Sequence, residues 1–200
     1  MLTPTLICGY MGILIFMIIV LFFKKLNDNK EYGFIHLLMA FMYVMWLPIP
    51  IALYKIINNP LLIIGTIFGF TYLVMMVITM IIQTGHLVYV VKQENREIWQ
   101  KQTDLMFATF GGPYEVFANV LRGIWAVFLA IYFWENFNVT MAILMTIYGA
   151  LAVYYLLLVI KISMVEHYNI FNRIKSNSIF FNIETLVFFI ILIIYMQQLA

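Results

Sequence analysis

Long apolar runs separated by short polar segments organise this chain from end to end. An α-helix needs roughly 20 apolar residues to cross ~30 Å of hydrocarbon, and six runs meet or approach that length: residues 5–23, 33–57, 61–91, 113–134, 141–160 and 179–199. Because the runs are continuously apolar and do not alternate with polar residues, they predict helices and not the strands of a membrane barrel. The expected fold is therefore all-α: a polytopic transmembrane helix bundle forming one integral membrane domain over 1–200. Six spans place both termini on the same side, expected to be outside. Five spans remain the alternative if the last run lies differently.

Irregularities inside the runs predict breaks. The third run exceeds one span, which predicts a tilt, a bend near Gly85 or an early exit at "QTGHLVYVV". Pro48 and Pro50 in "LPIP" lack amide protons and should kink the second span. Ahead of the fourth run, "LMFATF" at 105–110 is apolar, but "GGP" at 111–113 interrupts it. The piece before Pro113 is expected to be a short interfacial or re-entrant segment, with the helix proper starting at Pro113. These interruptions do not correspond between two three-span halves, so an inverted repeat is not supported.

Composition adds exclusions. The 200 residues are 65% hydrophobic and 10% charged, against about 25% charged residues in soluble domains. The expected partner is the lipid bilayer and not nucleic acid. Cys8 is the single cysteine, which rules out an intrachain disulfide or a CxxC pair.

Charge placement says more than the net value of +2. Lys24, Lys25 and Lys30 follow the first run; Lys92, Arg96 and Lys101 follow the third; Lys161, Arg173 and Lys175 follow the fifth. By the positive-inside rule, connections one, three and five face the cytoplasm of a cell-membrane protein. The fifth connection, "KISMVEHYNIFNRIKSNS", has Ile162, Val165, Phe171 and Ile174 at roughly helical spacing. It reads either as an interfacial amphipathic helix or as a loop. Asn138-Val139-Thr140 matches a glycosylation sequon in a loop too short to give it weight.

Candidate chemistry concentrates in "GGPYEVFANVLRG", 111–123. At helical spacing Glu115, Asn119 and Arg122 share one face, with Ala126 continuing it, as a bundle-facing stripe would. Glu115 and Arg122 stand roughly 10 Å apart along the axis, so Arg122 needs another acceptor, and Glu184 in span six is the candidate. Two bland readings stand beside this. Glu115 can be a helix-start carboxylate at the interface, and Arg122 can snorkel to headgroups. Gln83, Thr84, His36, His86, Asn182 and Glu184 fall toward the same, cytoplasmic ends of their runs.

His36 and His86 lie at matched depth on neighbouring antiparallel spans, the placement needed for bis-histidine haem b ligation. A zinc site would need Glu115, Glu184 or His167 as well. Gly65 and Gly69 form a GxxxG pair, for close packing within the chain or for a homodimer or membrane partner. No HExxH, GxSxG or phosphate-loop motif occurs. The stretch 114–123 shares a glutamate and an arginine with intramembrane peptidase motifs, but lacks their adjacent glutamates and additional histidine motif, so no role is carried over.

Three functions follow as expectations. One is a transport-related protein, a small permease or ion-coupled carrier, with Arg122, Glu184, Glu115 and Asn119 lining a cytoplasm-facing site. In that case Arg122→Ala abolishes uptake and preserves folding. The second is a non-catalytic accessory or assembly subunit, with Arg122–Glu184 as a structural clamp. The third is a haem or metal protein using His36 and His86. No enzymatic activity is expected.

Overall fold

A computed structural model describes residues 1–93, 96–165, 171 and 174–199, and all regular structure among them is helical. Eight α-helices follow in order: α1 (Leu2–Asp28), α2 (Tyr32–Trp46), α3 (Pro48–Ile57), α4 (Leu62–Val91), α5 (Arg96–Met106), α6 (Glu115–Glu135), α7 (Val139–Ser163) and α8 (Ser178–Gln198). A π-helical segment, Phe107–Tyr114, joins α5 to α6. They make six helices long and apolar enough to span a membrane: α1, α2 with α3, α4, a composite helix over Trp99–Glu135, α7, and Ile179–Gln198 of α8.

The second span is divided where the prolines fall. Pro48 has no N–H for the carbonyl of Val44, and that carbonyl instead accepts from Leu47 N at 3.2 Å. The carbonyl of Pro50 accepts from Thr66 Oγ1 at 3.5 Å, from α4. By contrast, α4 runs without interruption through Gly85.

The start of the fourth span is corrected. The chain does not break at "GGP"; it stays helical from Arg96 and widens into π geometry across Phe107–Tyr114. An α-helical register would press the Pro113 ring against the carbonyl four residues earlier, and the wider turn relieves that clash. Thr109 Oγ1 donates to the carbonyls of Leu105 (2.9 Å) and Met106 (3.1 Å), covering backbone acceptors where the register changes. The 105–110 piece is thus part of one long helix and not a re-entrant segment.

Close packing in the core follows from small residues opposite large rings. Gly65 and Gly69 receive Trp125 and Phe128 of α6. A Cβ at Gly65 would stand 2.8 Å from Phe128 Cβ, and one at Gly69 would meet the Trp125 ring. Of the two uses open to this GxxxG pair, the structure employs packing within the chain. Gly123 meets Ala152 across the α6–α7 interface, and Gly149 meets Val127 there. Trp46 stacks on Phe189 at 4.2 Å between centroids, while its indole N–H donates to the carbonyl of Gly9 at 3.2 Å.

Connections two and four are short and capped. Asn58 takes a left-handed conformation (φ 50°) at the end of α3, and Asn59 Oδ1 accepts from Leu61 N at 2.9 Å. The Asn138 side chain accepts from Met141 N at 3.3 Å, so the asparagine of the sequon serves as the N-cap of α7. The start of α2 packs on the end of α4, where a Cβ at Gly33 would stand 3.1 Å from the Thr84 carbonyl. Connections one and three are thereby brought to one end of the bundle. The middle of the expected amphipathic segment, 166–170 with 172–173 and including His167, lies outside the described residues.

Candidate functional site

The polar stripe of α6 divides into two clusters, each completed by other spans. Arg122 is 2% exposed and Glu184 7% exposed. The guanidinium donates from one terminal nitrogen to Glu184 Oε1 and from the other to Thr185 Oγ1. Tyr155 of α7 donates its hydroxyl to the same Oε1, and Tyr148 donates to the Glu184 backbone carbonyl at 3.1 Å. Three aromatic rings enclose the guanidinium, with Cζ 5.3 Å from the Tyr72 centroid, 5.7 Å from Phe188 and 5.8 Å from Tyr155. A buried positive charge thus meets one buried negative charge within a cage of rings and hydroxyls. Arg122 does not snorkel. Glu184 Oε2 and the Tyr72 hydroxyl are buried in this cluster without hydrogen-bond partners.

Glu115 belongs to a different neighbourhood. Its carboxylate Oε1 accepts from Gln83 Nε2 of α4 at 2.6 Å. Gln83 is 0% exposed, Asn119 is 4% exposed, and Glu115 is half-buried. Asn119 Nδ2 donates to the backbone carbonyl of Glu115 at 3.0 Å. The remaining amide oxygens, Gln83 Oε1 and Asn119 Oδ1, are buried and have no partner. Glu115 forms no ion pair among the described residues. Because the composite helix is already wound for many residues before Glu115, the carboxylate does not start the helix, as the interfacial reading requires.

Both clusters lie toward one end of the bundle. Glu184 is six residues inside α8, about 9 Å along its axis, and Gln83 and Tyr155 are eight from the ends of their helices, about 12 Å. That end carries the first, third and fifth connections.

The hydrogen bonds of the two histidines go to backbone carbonyls outside these clusters. His36 donates from Nδ1 to the Tyr32 carbonyl at 2.8 Å, one turn back in its own helix. His86 donates from Nε2 to the Gln102 carbonyl at 3.0 Å, across to α5. No group of three or more His, Cys, Asp or Glu side chains among the described residues is placed to hold a metal ion. Cys8 is half-buried and free.

Sequence reasoning brought Arg122 and Glu184 together but missed Thr185, Tyr148, Tyr155 and Tyr72. The seven-residue spacing of Tyr148 and Tyr155 was the available signal, since it puts both hydroxyls on one face of α7. Gln83 was noticed only as a polar residue near a helix end, and nothing local marks it as the partner of Glu115. Comparisons with protein-family models, with curated proteins and with solved structures found no match.

Proposed function

We propose that the chain is a transport-related membrane protein, a small permease or ion-coupled carrier, whose working group is Glu115 with Gln83 and Asn119. The observation that carries this reading is a carboxylate inside the bundle with a neutral amide as its side-chain partner and no counter-charge among the described residues. Ionisable groups in the membrane interior are costly and mark ion or substrate paths. The π segment directly before Glu115 fits the same reading, since π geometry is frequent at functional sites. In this proposal Arg122 and Glu184 hold the helices around the site, and the basic connections one, three and five face the cytoplasm of the cell membrane.

Purified protein in liposomes tests the reading, with proton and 22Na⁺ flux measured under an imposed membrane potential. Glu115→Gln should abolish the flux while leaving the protein folded. Sidedness is tested in a Cys8→Ser background: Phe137→Cys should react with an impermeant thiol reagent on intact cells, and Lys30→Cys should not.

The accessory-subunit reading is favoured by one observation, the charge-compensated Arg122–Glu184 pair, whose cation meets its anion within the chain. It predicts no flux from the purified chain and co-purification with a partner. A haem or metal reading requires an absorption band, or bound metal, that is lost in His86→Ala.

A further inference from the structure

We propose that Glu115, Gln83 and Asn119 form a binding site for one monovalent metal cation between α4 and α6. The inference rests on the carrier reading for its purpose, but its existence can be tested separately.

The donor and acceptor assignment comes from chemistry. A carboxylate only accepts, so the Gln83 amide atom facing Glu115 Oε1 at 2.6 Å is the NH₂ group. A backbone carbonyl also only accepts, so the Asn119 atom 3.0 Å from the Glu115 carbonyl is its NH₂ group. Both amide nitrogens are thereby committed, and both amide oxygens are left over as acceptors. Neither oxygen reaches a donor, although Gln83 is 0% and Asn119 4% exposed. Buried polar atoms are normally satisfied, and those that are not call for an explanation.

What these atoms lack is a positive partner. The carboxylate of Glu115 and the Gln83 oxygen are neighbours through one amide group. The Asn119 oxygen lies one helical turn along the same buried face of α6. No lysine or arginine side chain pairs with Glu115 among the described residues, and Arg122, two turns away, is committed to Glu184 and Thr185. The set is therefore all oxygen with a single negative charge.

Hard cations select oxygen ligands. One carboxylate with neutral oxygens matches one positive charge, whereas calcium and magnesium sites draw on more carboxylates or retained water.

The test is a cation titration of the purified, detergent-solubilised full chain. Thermal unfolding is followed in NaCl, KCl and choline chloride at constant ionic strength and pH, with equilibrium 22Na⁺ binding alongside. The site predicts saturable stabilisation by Na⁺ or K⁺, with choline inert and about one ion bound per chain. Glu115→Gln should weaken that response about ten-fold or more, a loss at least as large as that from removing groups around a metal site. If Glu115→Gln does not accumulate, Gln83→Ala, which keeps the carboxylate, should show the same weakening.

Equal unfolding in all three salts overturns the proposal, as does a response that follows pH alone, which would make the occupant a proton. A wild-type cation response in both variants also overturns it. Stabilisation by Na⁺ without flux in liposomes keeps the site and removes the carrier reading. Flux without any cation response in the titration keeps the carrier and removes the site.

Discussion

Two polar clusters lie within a few turns of each other in the same bundle, and they solve the burial of charge in opposite ways. Around Arg122 the charge is compensated, hydrogen-bonded from two helices and enclosed by three rings. Around Glu115 a single carboxylate is held by an amide, with two acceptor oxygens left unmatched nearby. Charges removed from water must be paired and hydrogen-bonded or they destabilise the fold. The first cluster supplies its own counter-charge, leaving only Glu184 Oε2 and the Tyr72 hydroxyl unpartnered, and the second has no counter-charge among the described residues. The contrast teaches that sharing a helix face does not make residues one site: Glu115 and Arg122 serve different partners on α4 and α8.

Breaking the closed cluster should have the largest effect on folding. Arg122→Ala leaves Glu184 buried without its counter-charge, and losing one partner of a buried pair costs about 3–5 kcal/mol. Fluorescence-detected size-exclusion chromatography should show loss of the monodisperse peak. The double variant Arg122→Met/Glu184→Leu, which removes both charges and keeps similar volume, should recover much of it. Folding of Arg122→Ala at the wild-type level would show that the pair is no clamp.

A smaller loss is expected from Tyr155→Phe, which removes one hydroxyl donor to the Glu184 carboxylate. Hydrogen bonds to charged groups contribute about 1.5–3 kcal/mol, and a lowered unfolding midpoint in detergent measures the effect. A midpoint equal to the wild type would place Tyr155 outside the energetics of the pair.

Gly69→Val tests the packing that brings α4 and α6 together around both clusters. The added side chain meets the Trp125 ring, and overpacking of this kind costs about 1–3 kcal/mol. The expected signature is a lower unfolding midpoint with a shifted tryptophan emission. Unchanged emission would mean that the ring does not fill that notch.

The smallest effect on folding is expected from Glu115→Gln. The substitution keeps the shape of the side chain and an acceptor for Gln83, so in choline chloride, without Na⁺ or K⁺, stability should change by no more than about 1 kcal/mol, the size of one ordinary hydrogen bond. A large loss of stability would make Glu115 structural and erase the difference between the clusters.

Much of this architecture was legible in the order of apolar and polar residues. The six spans, the division at Pro48 and the pairing of Arg122 with Glu184 all follow from run lengths, proline chemistry and the need of a buried cation for an anion. The fourth span was harder to read because Gly111, Gly112 and Pro113 signal a stop in any local rule. A π turn accommodates that proline by changing the register, a solution with no clear mark in residue type. The helix also passes through Gly85, where nothing packs within 4 Å of the position its Cβ would take. The partner of Glu115 was illegible for another reason. Gln83 reaches it from a span 32 positions away, and an amide has no charge to advertise the contact. The tyrosine and threonine shell of Arg122 was hidden likewise, because such residues are ordinary in membrane helices.

The measurement that tests the division of labour most directly is ion flux in liposomes containing equal amounts of folded wild-type and Glu115→Gln protein. Proton flux is read with an internal pH dye and sodium flux with 22Na⁺. The account predicts that the wild type carries one of these ions and that the variant, unfolding at nearly the same temperature in choline chloride, carries none. Flux in Glu115→Gln at the wild-type rate, or a wild type that moves neither ion, would contradict it.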